Sequence, residues 1–173
     1  MKLKIFPFKK VKSTNSTAIR LINQNIKFGV VTSERQFKGR GQGTNRWISN
    51  YGNIFLSIFF PIKKNLSIKN ITKINLNVVK KVIKKHINEK INIKLPNDIL
   101  INQSKICGIL QEIIFKNNIK YIIIGIGINL NNSPIIPNYC TSYLNKYSKK
   151  NIKKLELIKE LQRNFEKKIE NFI

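Results

Sequence analysis

Gly39-Arg40-Gly41-Gln42-Gly43-Thr44-Asn45-Arg46-Trp47 sets three glycines in alternation with Arg and Gln and closes on the only tryptophan of the chain. Backbone without side chains can bend closely around a ligand, and its amide N–H groups can converge on anionic oxygens. Arg40 adds a planar, permanently charged fork suited to carboxylate or phosphate. The stretch therefore reads as an anion clamp; taken alone it reads equally well as a flexible surface loop. Its neighbours carry more information. Phe28 to Ser33 has the composition of a strand, and after the turn Asn50-Tyr51-Gly52-Asn53 the apolar run Ile54 to Phe60 reads as a buried strand stopped by Pro61. A loop carried between two strands is positioned by a rigid scaffold, where binding residues concentrate.

Working outward, Leu3 to Phe8 predicts a short strand broken by Pro7. Ser13-Thr14-Asn15-Ser16-Thr17 precedes Ala18, Ile19, Leu21 and Ile22, so a helix is expected to start there with Thr14 or Asn15 as N-cap. Ile71, Ile74, Val78, Val82 and Ile83 recur at helical spacing from Lys69 to about Lys90. Ile91 to Leu95 alternates as a strand ending at Pro96, and Asn97-Asp98 follows in what is also an ordinary turn signal. Lys105 opens the apolar run to Phe115, which Asn117-Asn118 turns back into Tyr121 to Leu130. Two long apolar strands joined by a short polar loop predict an antiparallel pair at the centre of a sheet. Gly125 and Gly127 share one face of the second strand, which leaves room for a helix or bound molecule to approach, with Asn129 at the edge of the same space. Tyr139 to Tyr147 is read as a short helix. Leu155, Ile158, Leu161, Phe165 and Ile169 mark a terminal amphipathic helix ending near Ile173. With no internal repeat or low-complexity linker, residues 1–173 are expected to form one α+β domain.

The 33 Lys and Arg against 8 Asp and Glu give a net charge of +25. That points to nucleic acid or another anionic partner. The excess is mostly lysine, spread over every segment alongside heavy use of Ile and Asn, so it also fits a bias of the whole chain. Cys107, Cys140 and the single histidine, His86, form neither a disulfide framework nor a metal cluster, and a structural role is the expected one for Cys107 and His86. No apolar run approaches the ~20 residues that span a bilayer. The chain reads as cytoplasmic, without a membrane partner.

In order and spacing, Ser13-Thr14-Asn15, Gln36 with Gly39 to Trp47, Lys94-Leu95-Pro96-Asn97-Asp98, Lys105-Ile106-Cys107-Gly108-Ile109-Leu110 and Gly125 to Leu130 resemble the catalytic domain of biotin protein ligases. The resemblance covers roughly residues 10 to 130. It implies a class II aminoacyl-tRNA synthetase-like fold, a mixed and largely antiparallel sheet with packed helices. It also implies an ATP-dependent biotin–protein ligase that uses Mg2+ and forms biotinyl-5'-adenylate from biotin and ATP. Biotin then passes to one lysine of a biotin carboxyl carrier protein or domain, such as that of acetyl-CoA carboxylase.

Within that resemblance Ser13, Thr14 and Gln36 belong to the biotin-recognition end, the Gly39-Arg40-Gly41 segment covers the ligand, and Asn15, Gln42, Gly108 and Gly127 also belong to the substrate- and cofactor-binding residues. Arg40 and Lys105 face the reacting carboxylate and α-phosphate, while Trp47 belongs to the adenylate site. Asn97 and Asp98 lie toward the nucleotide, Asp98 as a magnesium ligand or amine-orienting group, and Asn129 lies beside the adenine or ribose. Neither the helix-turn-helix domain that precedes, nor the small β-barrel that follows, this domain in many relatives is expected, so specific DNA binding is not. Homodimerisation through a sheet edge is implied, against the self-repulsion of a +25 chain at low salt. Lipoate or octanoate ligases share the fold and acyl-transfer logic and are the nearest rival; a basic nucleic-acid-binding protein is the rival from another class.

Two departures stand out. Leu95 replaces the common Trp before Pro-Asn-Asp. Gln42 stands where many family members carry a second Arg, which removes one cationic contact to the intermediate and predicts weaker retention of the adenylate. Gln42→Arg should slow adenylate release, followed by trapping the released species. Release at the parent rate would remove the idea.

Overall fold

The computed structural model describes residues 2–63, 67–170 and 172. Strands β1 (Ile5–Val11), β2 (Gly29–Gln36), β3 (Ile54–Pro61), β4 (Ile91–Lys94), β5 (Asp98–Ile101), β6 (Ser104–Lys116) and β7 (Ile119–Ile128) form one sheet in the order β1-β2-β3-β7-β6-β5-β4. All neighbours are antiparallel except β1 with β2. The fold is the expected mixed, largely antiparallel sheet with packed helices, and the β6–β7 hairpin lies at its centre. Pro7 does not break β1, which runs through it to Val11. An edge strand has one neighbour only and so tolerates a residue without an N–H.

Side chains alternate across the sheet and sort into two cores. Leu56, Ile58 and Phe60 of β3 and Ile122, Ile124, Ile126 and Ile128 of β7 join the main core. This is covered by α2 (Ile68–Lys84) and α3 (Lys154–Ile169). On the opposite face Phe59, Val31 and Ile123 pack beneath α1 (Thr14–Asn23) through Ala18, Leu21 and Ile22. Three buried Phe side chains on β3 illustrate the scale, since full burial of each is worth roughly 1.5–3 kcal/mol. Helix α1 contacts β2, β3, β7 and part of β6 and leaves the face over β5 to the loops.

The helix boundaries differ from the sequence expectation for identifiable reasons. Ser13, not Thr14 or Asn15, caps α1: its extended backbone lets Oγ accept from Ser16 N at 3.0 Å. Helix α2 ends at Lys84 and not near Lys90, because Lys84 Nζ caps the following turn through the carbonyls of Asn88 and Glu89. Ile74 lies at the margin of its apolar face, 37% exposed, while Asn75 is buried and donates to Gln111 Oε1. In α3 Leu155 is exposed and Leu157 takes the buried place. That helix closes at Ile169; Ile173, near which it was expected to end, lies outside the described residues. Tyr139 to Tyr147 holds only a 3-10 turn at Leu144–Lys146. Its first part is instead extended alongside β6, with Lys105 N donating to Cys140 O and Ser142 N to Lys105 O, both at 2.9 Å. Among the described residues no helix is long and apolar enough to cross a membrane.

Asn53, fully buried at the start of β3, ties this frame together. Its Oδ1 accepts from the backbone N–H groups of Leu130, Asn131 and Asn132, and its Nδ2 donates to Asn132 O. Asn53→Ala strands those donors and is expected to cost about 2–3 kcal/mol, the scale of buried polar groups left unpaired. Urea denaturation measures it; a loss within experimental error of zero would contradict this account.

Candidate active site

Glycines make the floor of the site. Gly108 of β6 and Gly127 of β7 are cross-strand partners, and a Cβ on either would strike the ring of Trp47. Two pairs further along, on the same face, Gly125 meets the side chain of Asn15 from α1. The paired strands therefore present a depression that a helix terminus enters from one side and an indole from the other. Above it opens a cleft of about 400 Å3.

Lys105 reaches this cleft through a β-bulge. The register between β5 and β6 slips after the Ile99–Cys107 pair, so that Ile106 and Cys107 both enter the main core. Lys105 then emerges on the same side as Gly108. Its Nζ lies 2.8 Å from Asp98 Oδ1, 5.4 Å from the Trp47 ring centre and 5.6 Å from that of Tyr139. Asp98, which pairs with Gly108 across β5 and β6, also accepts from Tyr139 Oη at 2.6 Å. The ammonium is thus held between two aromatic faces and one carboxylate, an arrangement that orients it without neutralising the cleft.

The glycine loop supplies the second cation. Gly41 N donates to Asn45 O and Trp47 N to Gly39 O, so the loop doubles back on itself, with Arg40 and Arg46 bridged across its mouth. One Arg40 Nη donates to Glu112 Oε2 at 2.5 Å; the same oxygen accepts from Asn15 Nδ2 at 2.7 Å. Both partners of this ion pair are partly exposed, so it contributes little to stability, at most about 1 kcal/mol. What it does is aim the guanidinium. At the far end Gln36 Oε1 accepts from Thr14 N at 2.8 Å and Thr14 Oγ1 at 3.2 Å, while its Nε2 donates to Ser49 Oγ. Asn97 clasps β6 through Ile109, its Nδ2 donating to Ile109 O at 3.1 Å.

The cleft brings together Ser13, Thr14, Asn15, Gln36, Arg40, Gly41, Gln42, Trp47, Asn97, Asp98, Lys105, Gly108 and Gly127. Two of the residues named from sequence lie elsewhere. Gly39 is buried under Trp47 O, and Asn129 is buried with its Nδ2 donating to Ser142 O at 3.0 Å, away from the cleft wall. The amide of Asn15 is consumed by Glu112, the Leu110 carbonyl and Ser57. Sequence reasoning missed Tyr139 and Glu112: the former sits in an irregular segment 41 positions from its partner, the latter in an apolar strand where a lone acid signals nothing. Cys107 and His86 stay outside the chemistry. Cys107 is buried in the main core, where desolvation pushes its thiol up, and His86 Nε2 lies 3.1 Å from Glu160 of α3.

A profile of the biotin/lipoate A/B protein ligase family matches residues 7–129. The bifunctional ligase/repressor BirA of Bacillus subtilis is 35% identical over 131 residues, covering 72% of this chain. The chain spans about two fifths of the length of that curated relative (39%). Among solved structures, biotin protein ligase from Leishmania major in complex with biotinyl-5-AMP superimposes with a TM-score of 0.79 at 24% identity, covering 98% of this chain and 79% of that one. The enzyme from Aquifex aeolicus in complex with biotin and ATP gives 0.81 at 23% identity, covering 96% and 70%. These two likenesses concern the fold.

Burial first, then the hydrogen bond to Asp98 and its charge, push the Tyr139 phenol up to about 12. An unfolded tyrosine titrates near ~10. The folded state therefore holds this proton more tightly, and the associated stability is complete below ~10 and is lost as pH rises through the folded value. The difference in phenolate absorbance between the parent and Tyr139→Phe should show a midpoint near 12. A midpoint at the ordinary tyrosine value would contradict the buried bond.

Proposed function

Because this chain belongs to the biotin/lipoate A/B protein ligase family, we propose that it activates biotin with ATP to biotinyl-5'-adenylate and transfers biotin to a lysine of a carrier domain of the acetyl-CoA carboxylase type. The observation that carries this reading is the convergence of Arg40 and Lys105 on a glycine-floored cleft closed by Trp47. In the first step a biotin carboxylate oxygen attacks the α-phosphorus and pyrophosphate leaves. Two anions must meet, and two fixed cations offset their repulsion and then stabilise the charge that develops in the transition state.

The residues suit those tasks. Lys105 gives one donor direction to Asp98 and keeps others for ligand oxygens. Arg40 gives one Nη to Glu112 and keeps the rest of its fork. The Trp47 indole N–H is buried without a partner among the described residues, and a ligand acceptor would satisfy it. In the second step the neutral amine of the acceptor lysine attacks the acyl carbonyl, and AMP departs. Asp98 is placed to orient that amine, and proximity supplies much of the rate. The Trp47 side of the loop keeps water from the mixed anhydride.

Magnesium fits this site in a limited way. Among the described residues no three His, Cys, Asp or Glu side chains gather as a metal cage. An ion that arrives with a triphosphate needs only one or two protein carboxylates, and Asp98 would provide one, the metal supplying charge neutralisation on the phosphates.

Biotin-dependent exchange of radioactive pyrophosphate into ATP, run beside lipoate and octanoate, tests the reading. Exchange is expected with biotin alone, and Lys105→Met should lower it by roughly 10²–10³, the scale for removing a donor to the transition state. Exchange with lipoate or octanoate would transfer the assignment to the rival acyl ligase. No exchange from folded protein would end the enzymatic reading and leave the basic surface as a nucleic-acid-binding candidate.

A further inference from the structure

On the outer side of the glycine loop lies a second, open groove of about 490 Å3. Lys12, Lys38, Arg40 and Arg46 line it, with Glu112 as its only acid among the described residues. Glu112 is engaged by Arg40 and Asn15, so among the described residues Lys12, Lys38 and Arg46 face the groove without a carboxylate partner. We propose that this groove docks an acidic surface flanking the acceptor lysine of the protein substrate, an inference that rests on the acyl-transfer reading above.

The lysines of this chain are widely scattered, but here the fold concentrates them. Lys12 and Lys38 lie just beyond the ends of β1 and β2, and Lys38 N donates to Lys12 O at 2.9 Å, which sets the backbones of two like-charged residues side by side. Such a pair is unfavourable for folding by itself. Arg40 and Arg46 come from the two arms of the loop, bridged backbone to backbone. Groove and cleft share Arg40, Gly41, Asn45, Arg46 and Leu110, so they are continuous across the loop. A folded protein that delivers a lysine side chain into the cleft must rest on the surrounding rim. A basic neighbour would be repelled by the groove, whereas glutamates beside the lysine would be steered in and held, an effect read mainly in association rate and salt dependence.

The test uses the charge reversal Lys12→Glu with Lys38→Glu, two residues outside the cleft. The probes are a purified biotin carboxyl carrier domain whose acceptor lysine is flanked by glutamates, and a form of it with those glutamates changed to lysine. The reversed enzyme should keep biotin-dependent pyrophosphate exchange, which also reports that it is folded. Its KM for the glutamate-bearing carrier should rise about tenfold with kcat unchanged, and kcat/KM should lose most of its salt dependence. The lysine-bearing carrier should recover part of the loss. Lys12→Gln with Lys38→Gln should move in the same direction by less.

A carrier KM and salt slope equal to the parent's, with exchange intact, would overturn the docking proposal alone. Absence of exchange in the parent would overturn the acyl-transfer reading and docking with it. Tight, salt-sensitive binding of a single-stranded DNA oligonucleotide that disappears in the reversed enzyme, beside an unchanged carrier KM, would give the groove to nucleic acid instead.

Discussion

The cross-strand pair Gly108–Gly127 beneath Trp47 is the constraint on which the cleft depends. A single methyl group at either position would collide with the indole and lift the loop from the sheet. Glycine in a strand interior costs roughly 0.5–1 kcal/mol relative to alanine. Here that cost is offset across the sheet, where Ile122, Ile124, Ile126 and Ile128 of β7 join the main core that α2 and α3 cover. The two faces of one strand thus divide the labour: one supplies stability, the other leaves space.

The same division governs the charges. Asp98, Gly108 and Gly127 form a row across three strands, so the carboxylate stands at the end of a bare floor. Lys105 enters beside it, between Trp47 and Tyr139, and Arg40 enters from the loop under the guidance of Glu112. The Arg40–Glu112 pair is partly exposed and contributes little to stability, whereas the Lys105 pair ends on a buried Asp98. Their consequence is positional: Arg40 and Lys105, which both line one cavity, are each held by a carboxylate partner. Cys107, one residue from Gly108, faces the opposite core and shows how completely strand alternation separates chemistry from packing.

Viewed from outside, the glycine loop has two working surfaces. Its inner side meets the cleft through Gln42 and Trp47, and its outer side meets the basic groove through Gly43 and Thr44, while Arg40 and Arg46 border both. Its backbone hydrogen bonds make the loop a compact hairpin-like unit standing between the two surfaces.

Local chemistry of the chain determined much of this. The long apolar runs of β6 and β7 announced a central antiparallel pair, and the Gly125 and Gly127 parity announced a close approach, because period and glycine freedom act over a few residues. Only tertiary structure decided the rest. The bulge that sends Ile106 and Cys107 together into the core, and so turns Lys105 into the cleft, arises from pairing with β5 and leaves no trace in composition. Tyr139 reaches Asp98 because its segment is extended along β6, where a short helix was expected. Asn129, in step with the glycines by parity, turns away because the strand ends at Ile128 and its amide bonds to Ser142. Non-local hydrogen bonds overrule local pattern where a strand ends or slips, as Asn129, Lys105 and Tyr139 show.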